Sequence, residues 1–393
     1  MDSAHSRGGR QILRIGFVSI CDASDATAWS GIPFQVLNQM RKQGADVEVL
    51  SPLKVNRKYA LAPAKLLAKV RGRSVTLDHF SLVLRSYARQ IESWLRKHPI
   101  DVVFSTSTIP ITLLQCRQPI VVWTDAVFHS MPDYYSGAFA SMTRGAIARG
   151  KAQEETALQN CTIAVYASNW AAERAKRLTD PKKIRVLPFG SSIPTRYVEN
   201  DFAIPATEKE ADNHRSCELL FVGVDWERKG GDIAVETARL LNEAGVITTL
   251  KVVGCSPNRD LPSFVDPVGF MNKNSANDMK LLVDLFREAD FFILPTKAEA
   301  AGIVFGEASS FGLPCLTYAT GGVPDYVRDG VNGFCFEPEA PATAFATKIQ
   351  ELLLNPEAYQ AISERAFLEY KERLNWESSV NKLMRIFRES LEC

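Results

Sequence analysis

The chain has 393 residues, comfortable for two ordinary domains and too long for one. Its 46% hydrophobic and 23% charged content is that of a soluble globular protein, and 46 Lys+Arg against 45 Asp+Glu leave a formal charge of +1, which excludes a globally basic nucleic-acid binder. Eight cysteines show neither a Cys-x-x-Cys pair nor a Cys/His metal spacing; Cys21, Cys255, Cys315 and Cys335 sit in apolar runs and read as reduced, buried thiols of a cytoplasmic protein. Met1 to Arg10 lack the apolar core of a signal peptide, and no apolar stretch is long enough to span a bilayer, so any membrane contact is expected to be peripheral. From there, short β-branched runs alternate with helical patterns. Strands are expected at Leu13–Ile20, Asp46–Leu50, Asp101–Ser105, Pro119–Thr124, Thr162–Ala167 and Lys183–Leu187, with helices such as Gly31–Gln43, Phe80–His98 and Arg144–Asn160 between them. After Pro188-Phe189-Gly190 the pattern dissolves. A second series then brings strands at Glu218–Gly223, Thr248–Gly254, Asp290–Leu294, Pro314–Tyr318 and Phe334–Phe336, with helices at Gly231–Ala244, Ser275–Glu288, Gly302–Phe311 and Pro341–Leu354. Glu357 to Cys393 reads as helical throughout. The class is α/β: two doubly wound parallel sheets in series, whose ligands bind at the carboxyl ends of the strands, with the site expected between the domains.

Three segments carry chemistry. In Pro295-Thr-Lys-Ala-Glu-Ala-Ala-Gly-Ile-Val-Phe-Gly-Glu, a strand breaks at Pro295 and a helix starts near Gly302, so Gly302, Ile303 and Val304 are expected to offer free amides and a positive helix end to a diphosphate. Glu299 precedes that helix and Glu307 lies inside it; carboxylates accept hydrogen bonds well from sugar and ribose hydroxyls. The plain alternative makes Glu299 a cap and Glu307 a solvated face residue. In Val224-Asp225-Trp226-Glu227-Arg228-Lys229-Gly230-Gly231, two adjacent cations at a strand end place a guanidinium fork and an ammonium where a diphosphate fits, although alone they read as a charged surface turn. Thr320-Gly321-Gly322-Val323-Pro324-Asp325 either lets backbone approach a ligand or makes an ordinary tight turn.

Together these segments resemble the retaining glycosyltransferase family four, which has the GT-B fold of two Rossmann-like domains. Glu299 and Glu307 meet its Glu-x7-Glu spacing. The resemblance implies that Glu299 contacts the donor sugar, Glu307 the ribose, and Arg228 and Lys229 the diphosphate of a nucleotide-diphosphate sugar, with UDP- or GDP-sugars foremost. It implies an N-terminal acceptor-side domain over 1–190, a linker over 191–216, a donor-binding domain over 217–375, and a final helix near 376–393 that returns to the first domain. Base contacts are expected around Gly254 and Gly269-Phe270, largely through backbone and apolar surface.

In the first half, Ser30 is placed to cap a helix and Gly31 to bring backbone close to a phosphate, similar to the family's glycine loop but with one glycine where a pair is commoner. No GxGxxG follows, which disfavours a nicotinamide dehydrogenase. Family members often carry a His and a following Asp after the strand matched here by Pro119–Thr124. Thr124 stands at the expected His, so Asp125 is the first choice for a polar group at the reaction centre and His129 the second; either also reads as a structural residue. Lys54 to Arg73 holds seven cations, no acid and interleaved Leu61, Leu66, Leu67 and Val70, which suits anionic lipid headgroups or a solvated helix face. With a membrane role, a lipid-linked acceptor joins carbohydrate and small-molecule acceptors. No metal-ligand cluster is visible, so neither metal nor cofactor is expected. The competing readings are a nucleotide-sugar epimerase or phosphorylase of the same architecture, and a non-catalytic sugar-nucleotide-binding subunit.

Overall fold

The computed structural model describes residues 13–55, 62–198, 216–257 and 259–392, without the side chains of 64 and 65. Residues 56–61 of the basic segment and 199–215 of the expected linker lie outside the described residues. The first six strands are β1 (Arg14–Val18), β2 (Asp46–Leu50), β3 (Val102–Ser105), β4 (Ile120–Thr124), β5 (Ile163–Tyr166) and β6 (Ile184–Val186), in the sheet order β2-β1-β3-β4-β5-β6. The second six are β7 (Ser216–Val222), β8 (Ile247–Val253), β9 (Val265–Gly269), β10 (Phe291–Leu294), β11 (Cys315–Tyr318) and β12 (Gly333–Phe336), in the order β12-β11-β10-β7-β8-β9. Both sheets are parallel; in the second, for example, β7 pairs β10 on one side and β8 on the other. Strands such as Ile163–Tyr166 and Phe291–Leu294 are buried at every position, as parallel strands covered by helices on both faces require. In each sheet the strand order reverses once, beside β1 in the first and beside β7 in the second. Such switch points open a crevice at the carboxyl ends, where ligands bind.

Two compact units divide the chain. One comprises Met1–Thr124, Ser141–Ala164 and Leu383–Cys393; the other comprises Asp125–Ala140 and Val165–Lys382. In the first, Phe17, Phe104 and Trp123 are fully buried, and Phe387 of the last helix packs edge-on against Phe104 at 5.3 Å. In the second, Phe221, Phe291, Phe292, Phe305 and Phe345 centre a continuous core across β7, β10, β11 and their helices.

Three expectations need correction. β9 was absent from the predicted strands because Val265-Asp-Pro-Val-Gly carries a proline and is half-exposed; as an edge strand it tolerates both. The closing segment is not helical throughout: Pro356–Glu372 and Trp376–Ser390 are separate helices, the second starting where the final helix was expected. Asn375 makes the break: its amide nitrogen donates to the Tyr370 and Lys371 carbonyls, ending one helix, while its oxygen accepts from Ser378 N–H at 2.8 Å, starting the next. Of the four cysteines expected to be buried, Cys315 is, whereas Cys21, Cys255 and Cys335 are partly exposed.

The break receives the Pro188-Phe189-Gly190 segment. Ser191 N–H donates to the Leu374 carbonyl at 2.8 Å, Phe189 stacks on Trp376 at 5.7 Å, and Phe189 N–H donates to the Tyr326 hydroxyl at 2.9 Å. A Cβ on Gly190 would stand 2.2 Å from Trp376 N and 2.5 Å from the Asn375 carbonyl carbon, so this glycine is required by backbone contact. Gly190→Ala is expected to destabilise the protein by about 1–3 kcal/mol, the usual cost of overpacking, seen as a lower Tm in calorimetry; an unchanged Tm would refute the contact.

Candidate functional site

The loops after β7 and β10 leave the second sheet on either side of its switch point, and they hold the residues singled out from sequence. After β7 the chain makes a short helix, Trp226–Lys229, where the plain alternative was a charged surface turn. Asp225 caps it, accepting from Arg228 N–H at 3.1 Å, and its second oxygen takes the Arg228 Nε at 3.2 Å. Gly230 and Gly231 then fit the protein itself: a Cβ on Gly230 would lie 2.1 Å from the Pro295 carbonyl oxygen, and one on Gly231 would enter the Trp226 indole at 2.4 Å. Those close approaches lock the cation turn onto the loop after β10. Lys297 N–H donates to the Arg228 carbonyl at 2.8 Å, and Arg228 Nη1 donates to the Ala298 carbonyl at 2.7 Å.

Arg228, Lys229 and Glu299 therefore form one cluster. Lys229 is only 8% exposed, and its Nζ is hydrogen-bonded to Glu299 Oε2, which also lies 3.7 Å from Arg228 Nη1. Glu299 is not a helix cap: Gly302 occupies the N-cap position of the helix Ile303–Ser309, with no side-chain cap. Of the three amides expected to be free, Ile303 N–H is turned to the Ala301 carbonyl at 3.1 Å. Among the described residues the Gly302 and Val304 amides have no protein acceptor.

Glu307 is 0% exposed, which disposes of its reading as a solvated face residue. One carboxylate oxygen accepts from Ser192 Oγ and Lys273 Nζ, while Oε2 is buried with no partner. A buried carboxylate oxygen left without a donor is costly, so this atom is suited to receive a ligand hydroxyl. Gly254 lies abreast of Gly223 and Gly269 at the carboxyl ends of β7, β8 and β9: its N–H donates to the Gly269 carbonyl at 2.9 Å, and at φ +96° a Cβ would stand 2.5 Å from the Gly223 carbonyl oxygen. Phe270, the next residue, is 74% exposed.

The segment Asp125–Ala140 packs in the same unit and supplies what sequence reasoning missed. The Tyr134 hydroxyl accepts from Glu299 N–H at 2.9 Å and is 3.0 Å from Thr320 Oγ1; the Tyr135 hydroxyl accepts from Ala300 N–H at 2.8 Å. Burial pushes both phenols above their ordinary range, which keeps them protonated at neutral pH. Gly322 N–H donates to the Glu299 carbonyl at 2.8 Å, and a Cβ on Gly322 would fall 2.0 Å from the Ala300 carbonyl oxygen. The paired glycines of the third segment thus admit the Glu299 loop. Asp125 is partly buried and its charge acts on the Tyr135 and Tyr326 phenols. His129 lines a pocket with Ser130, Asp133, Tyr134, Arg174, Arg177 and Leu178. Paired tyrosines beside Asp133 were visible in sequence, but nothing there linked them to a loop 165 residues away. Tyr134→Phe strands the Glu299 amide; donor turnover is expected to fall about tenfold while nucleotide Kd stays unchanged, and equal effects on both would refute a positioning role.

Gly31 belongs to the other unit, after β1. It adopts φ +75° as the N-cap of the helix Ile32–Lys42, preceded by Trp29 and Ser30, also left-handed. Ser30 does not cap this helix, since Gly31 takes the position and no side chain bonds the first turn. Among the described residues no group of three or more His, Cys, Asp or Glu is arranged to hold a metal ion.

Residues 205–368 match the family described as "Glycosyl transferases group 1", and residues 34–191 match "Glycosyltransferase Family 4". The chain is 27% identical over 258 residues to the lipopolysaccharide glucosyltransferase WaaG of Escherichia coli K12, covering 62% of this chain and 65% of that one; it spans about half the length of other curated relatives it matches. The sucrose-phosphate synthase of Thermosynechococcus elongatus superposes with a TM-score of 0.67 at 15% identity, covering 96% of this chain and 98% of that chain. HepE of Anabaena in complex with UDP and glucose superposes with a TM-score of 0.63 at 14% identity, covering 96% and 100%. With two doubly wound parallel sheets and both halves matched, the chain belongs to glycosyltransferase family four and has the GT-B fold.

Proposed function

We propose that the chain transfers a sugar, with retention of anomeric configuration, from a nucleotide-diphosphate sugar to a hydroxyl acceptor in glycoconjugate synthesis, with UDP- or GDP-sugars as donors. The observation that carries this reading is the Lys229–Glu299 ion pair with Arg228 beside it at the switch point of the second sheet. A buried ion pair poised there exchanges partners when a donor enters: the diphosphate takes the two cations, and the released Glu299 carboxylate accepts hydrogen bonds from sugar hydroxyls. The unpartnered Glu307 Oε2 accepts from a ribose hydroxyl. Gly254 and Phe270 offer backbone and apolar surface to the base.

As the bond from the anomeric carbon to the phosphate oxygen breaks, a new bond forms to the acceptor oxygen on the same face. The acceptor proton passes to the departing phosphate oxygen. Negative charge on the leaving diphosphate meets Arg228, Lys229 and the Gly302 and Val304 amides already in place, so little reorganisation is needed at the moment of reaction. In this scheme the protein's two cations carry the charge role and no metal or cofactor takes part. In this reading Asp125 and His129 serve the acceptor side.

Partner and location follow from the surface. On the helix Ala62–Val70, Leu66 and Val70 are 64% and 77% exposed, and Lys69, Arg71 and Arg73 are exposed with them. Leucines that gain nothing from the protein core, set among cations, suit the headgroup layer of an anionic membrane. Among the described residues no helix is long and apolar enough to cross a membrane. Cys21, Cys255 and Cys335, partly exposed free thiols, support a reducing, cytoplasmic setting, at the cytoplasmic membrane face. Leu66→Glu with Leu67→Glu is expected to abolish sedimentation with phosphatidylglycerol vesicles, leaving donor hydrolysis intact; undiminished sedimentation would refute the contact.

The test of the reaction is proton NMR of the protein with UDP- and GDP-sugars. Release of nucleoside diphosphate with the α-anomer first formed from an α-linked donor is the expected result. Rapid epimerisation of the donor without acceptor would replace this reading with an epimerase.

A further inference from the structure

Beside the Glu299 loop, and within the same compact unit, lies the pocket of about 480 Å³ lined by His129, Ser130, Asp133, Tyr134, Arg174, Arg177 and Leu178. Its charge is out of balance. Among the described residues neither Arg174 nor Arg177 has a carboxylate at ion-pair distance, and the nearby Glu173 is engaged by Lys176 at 2.6 Å. Asp133 is the one carboxylate on the wall, against two guanidiniums and a histidine. A cation following the helix Asn169–Ala175 is ordinary in itself, since helix carbonyl ends attract positive charge. Two neighbouring arginines turned to one cavity are not accounted for that way, because each raises the cost of the other.

Arg174 is also held rigidly. Its guanidinium stacks over the Trp170 ring at 4.3 Å, and Nη1 donates to the Trp170 carbonyl at 3.0 Å. Trp170 in turn packs on Tyr134 at 4.6 Å, and Tyr134 holds the Glu299 amide. A single stack, Arg174–Trp170–Tyr134, therefore joins the pocket to the loop proposed to grip the donor sugar. Burial, and then the charge of Arg177, press the Arg174 guanidinium below its ordinary range, in line with a site short of an anion. Ordering a guanidinium by stacking lowers what an incoming phosphate must spend on it, and the planar fork suits phosphate oxygens.

We infer that this pocket is the acceptor subsite and that the acceptor carries a phosphate group, bound by Arg174 and Arg177 while its hydroxyl is presented toward the Glu299 loop. The inference rests on the donor reading above for the direction of transfer, but the anion site stands on its own residues. The phosphate belongs either to a soluble sugar phosphate or to a lipid-linked sugar; both present anionic phosphate oxygens to the arginines.

The test is arginine modification of the full chain by phenylglyoxal, mapped by peptide mass spectrometry, with UDP or GDP present to occupy the donor-side cations. Inorganic phosphate and glucose 6-phosphate are expected to slow modification of Arg177 about fivefold at about four times their Kd, whereas glucose, and chloride at equal ionic strength, leave it unchanged. Protection by glucose 6-phosphate assigns a soluble phosphorylated acceptor. Protection confined to phosphatidic acid vesicles, absent with phosphatidylcholine, assigns a lipid-linked one. Arg177→Gln, an exposed position, is expected to weaken phosphate protection of Arg174 several-fold. An Arg177 rate indifferent to phosphate in both forms, or equally slowed by chloride, overturns the inference. Protection of Arg228 by the nucleotide is read in the same spectra: its failure would sink the donor reading and leave the pocket standing.

Discussion

Lys229→Ala is expected to lower donor turnover by about 10²-fold or more, on the scale of removing one preorganised donor from an oxyanion site. Lys229 has little freedom to do anything else. It is 8% exposed, its stem packs beneath Gly223, and its ammonium is committed to Glu299. Deleting it removes a cation from the leaving diphosphate and strands a largely buried carboxylate, so stability should fall as well, by about 3 kcal/mol as for other broken buried pairs. The two effects separate in the double variant Lys229→Ala/Glu299→Ala. Stability is expected to recover in part, because neither charge is left alone, while turnover stays at the level of the worse single variant. Recovery of turnover together with stability would make the pair structural and move the chemistry elsewhere.

Glu307→Gln is expected to weaken UDP or GDP binding by about tenfold to a hundredfold, the value of hydrogen bonds to a charged acceptor, measured by calorimetry. The substitution keeps the size of a side chain that is 0% exposed, yet it removes the negative charge that Lys273 and Ser192 serve. The amide also turns an acceptor into a donor at one of the two oxygens, so the unpartnered Oε2 can no longer be counted on to accept. Lys273→Met frees Glu307 without changing it, and is expected to weaken nucleotide binding less than Glu307→Gln does. A larger loss in Lys273→Met would assign the contact to the lysine.

Much of the sheet architecture was legible because parallel strands buried on both faces must be uninterrupted apolar runs. Phe291–Leu294 and Cys315–Tyr318 announce themselves that way, and β2 was read residue for residue. β9 was not, since an edge strand needs no such run; the last helix, Trp376–Ser390, was placed by the family resemblance, while the side-chain bonds of Asn375 that part it from Pro356–Glu372 were not readable. In the site, cation and carboxylate types were readable from local motifs, and the structure brings Arg228, Lys229 and Glu299 into one cluster. The partners that hold them were not readable. Ser192 reaches Glu307 across 115 residues and Tyr134 reaches Glu299 across 165, and composition leaves no trace of such pairings. Nor was the packing role of the glycines readable: Gly230, Gly231 and Gly322 are needed where protein meets protein, at Pro295, Trp226 and Ala300.

The central claim is that Arg228, Lys229, Glu299 and Glu307 hold a nucleotide-diphosphate sugar, and a thermal-shift screen across UDP-, GDP- and ADP-sugars tests it most directly, since a ligand that binds only the native state raises its Tm. One nucleotide class is expected to raise the Tm of the wild-type protein and to lose that effect in Lys229→Ala; no shift with any donor, or a shift that survives in Lys229→Ala undiminished, would contradict it.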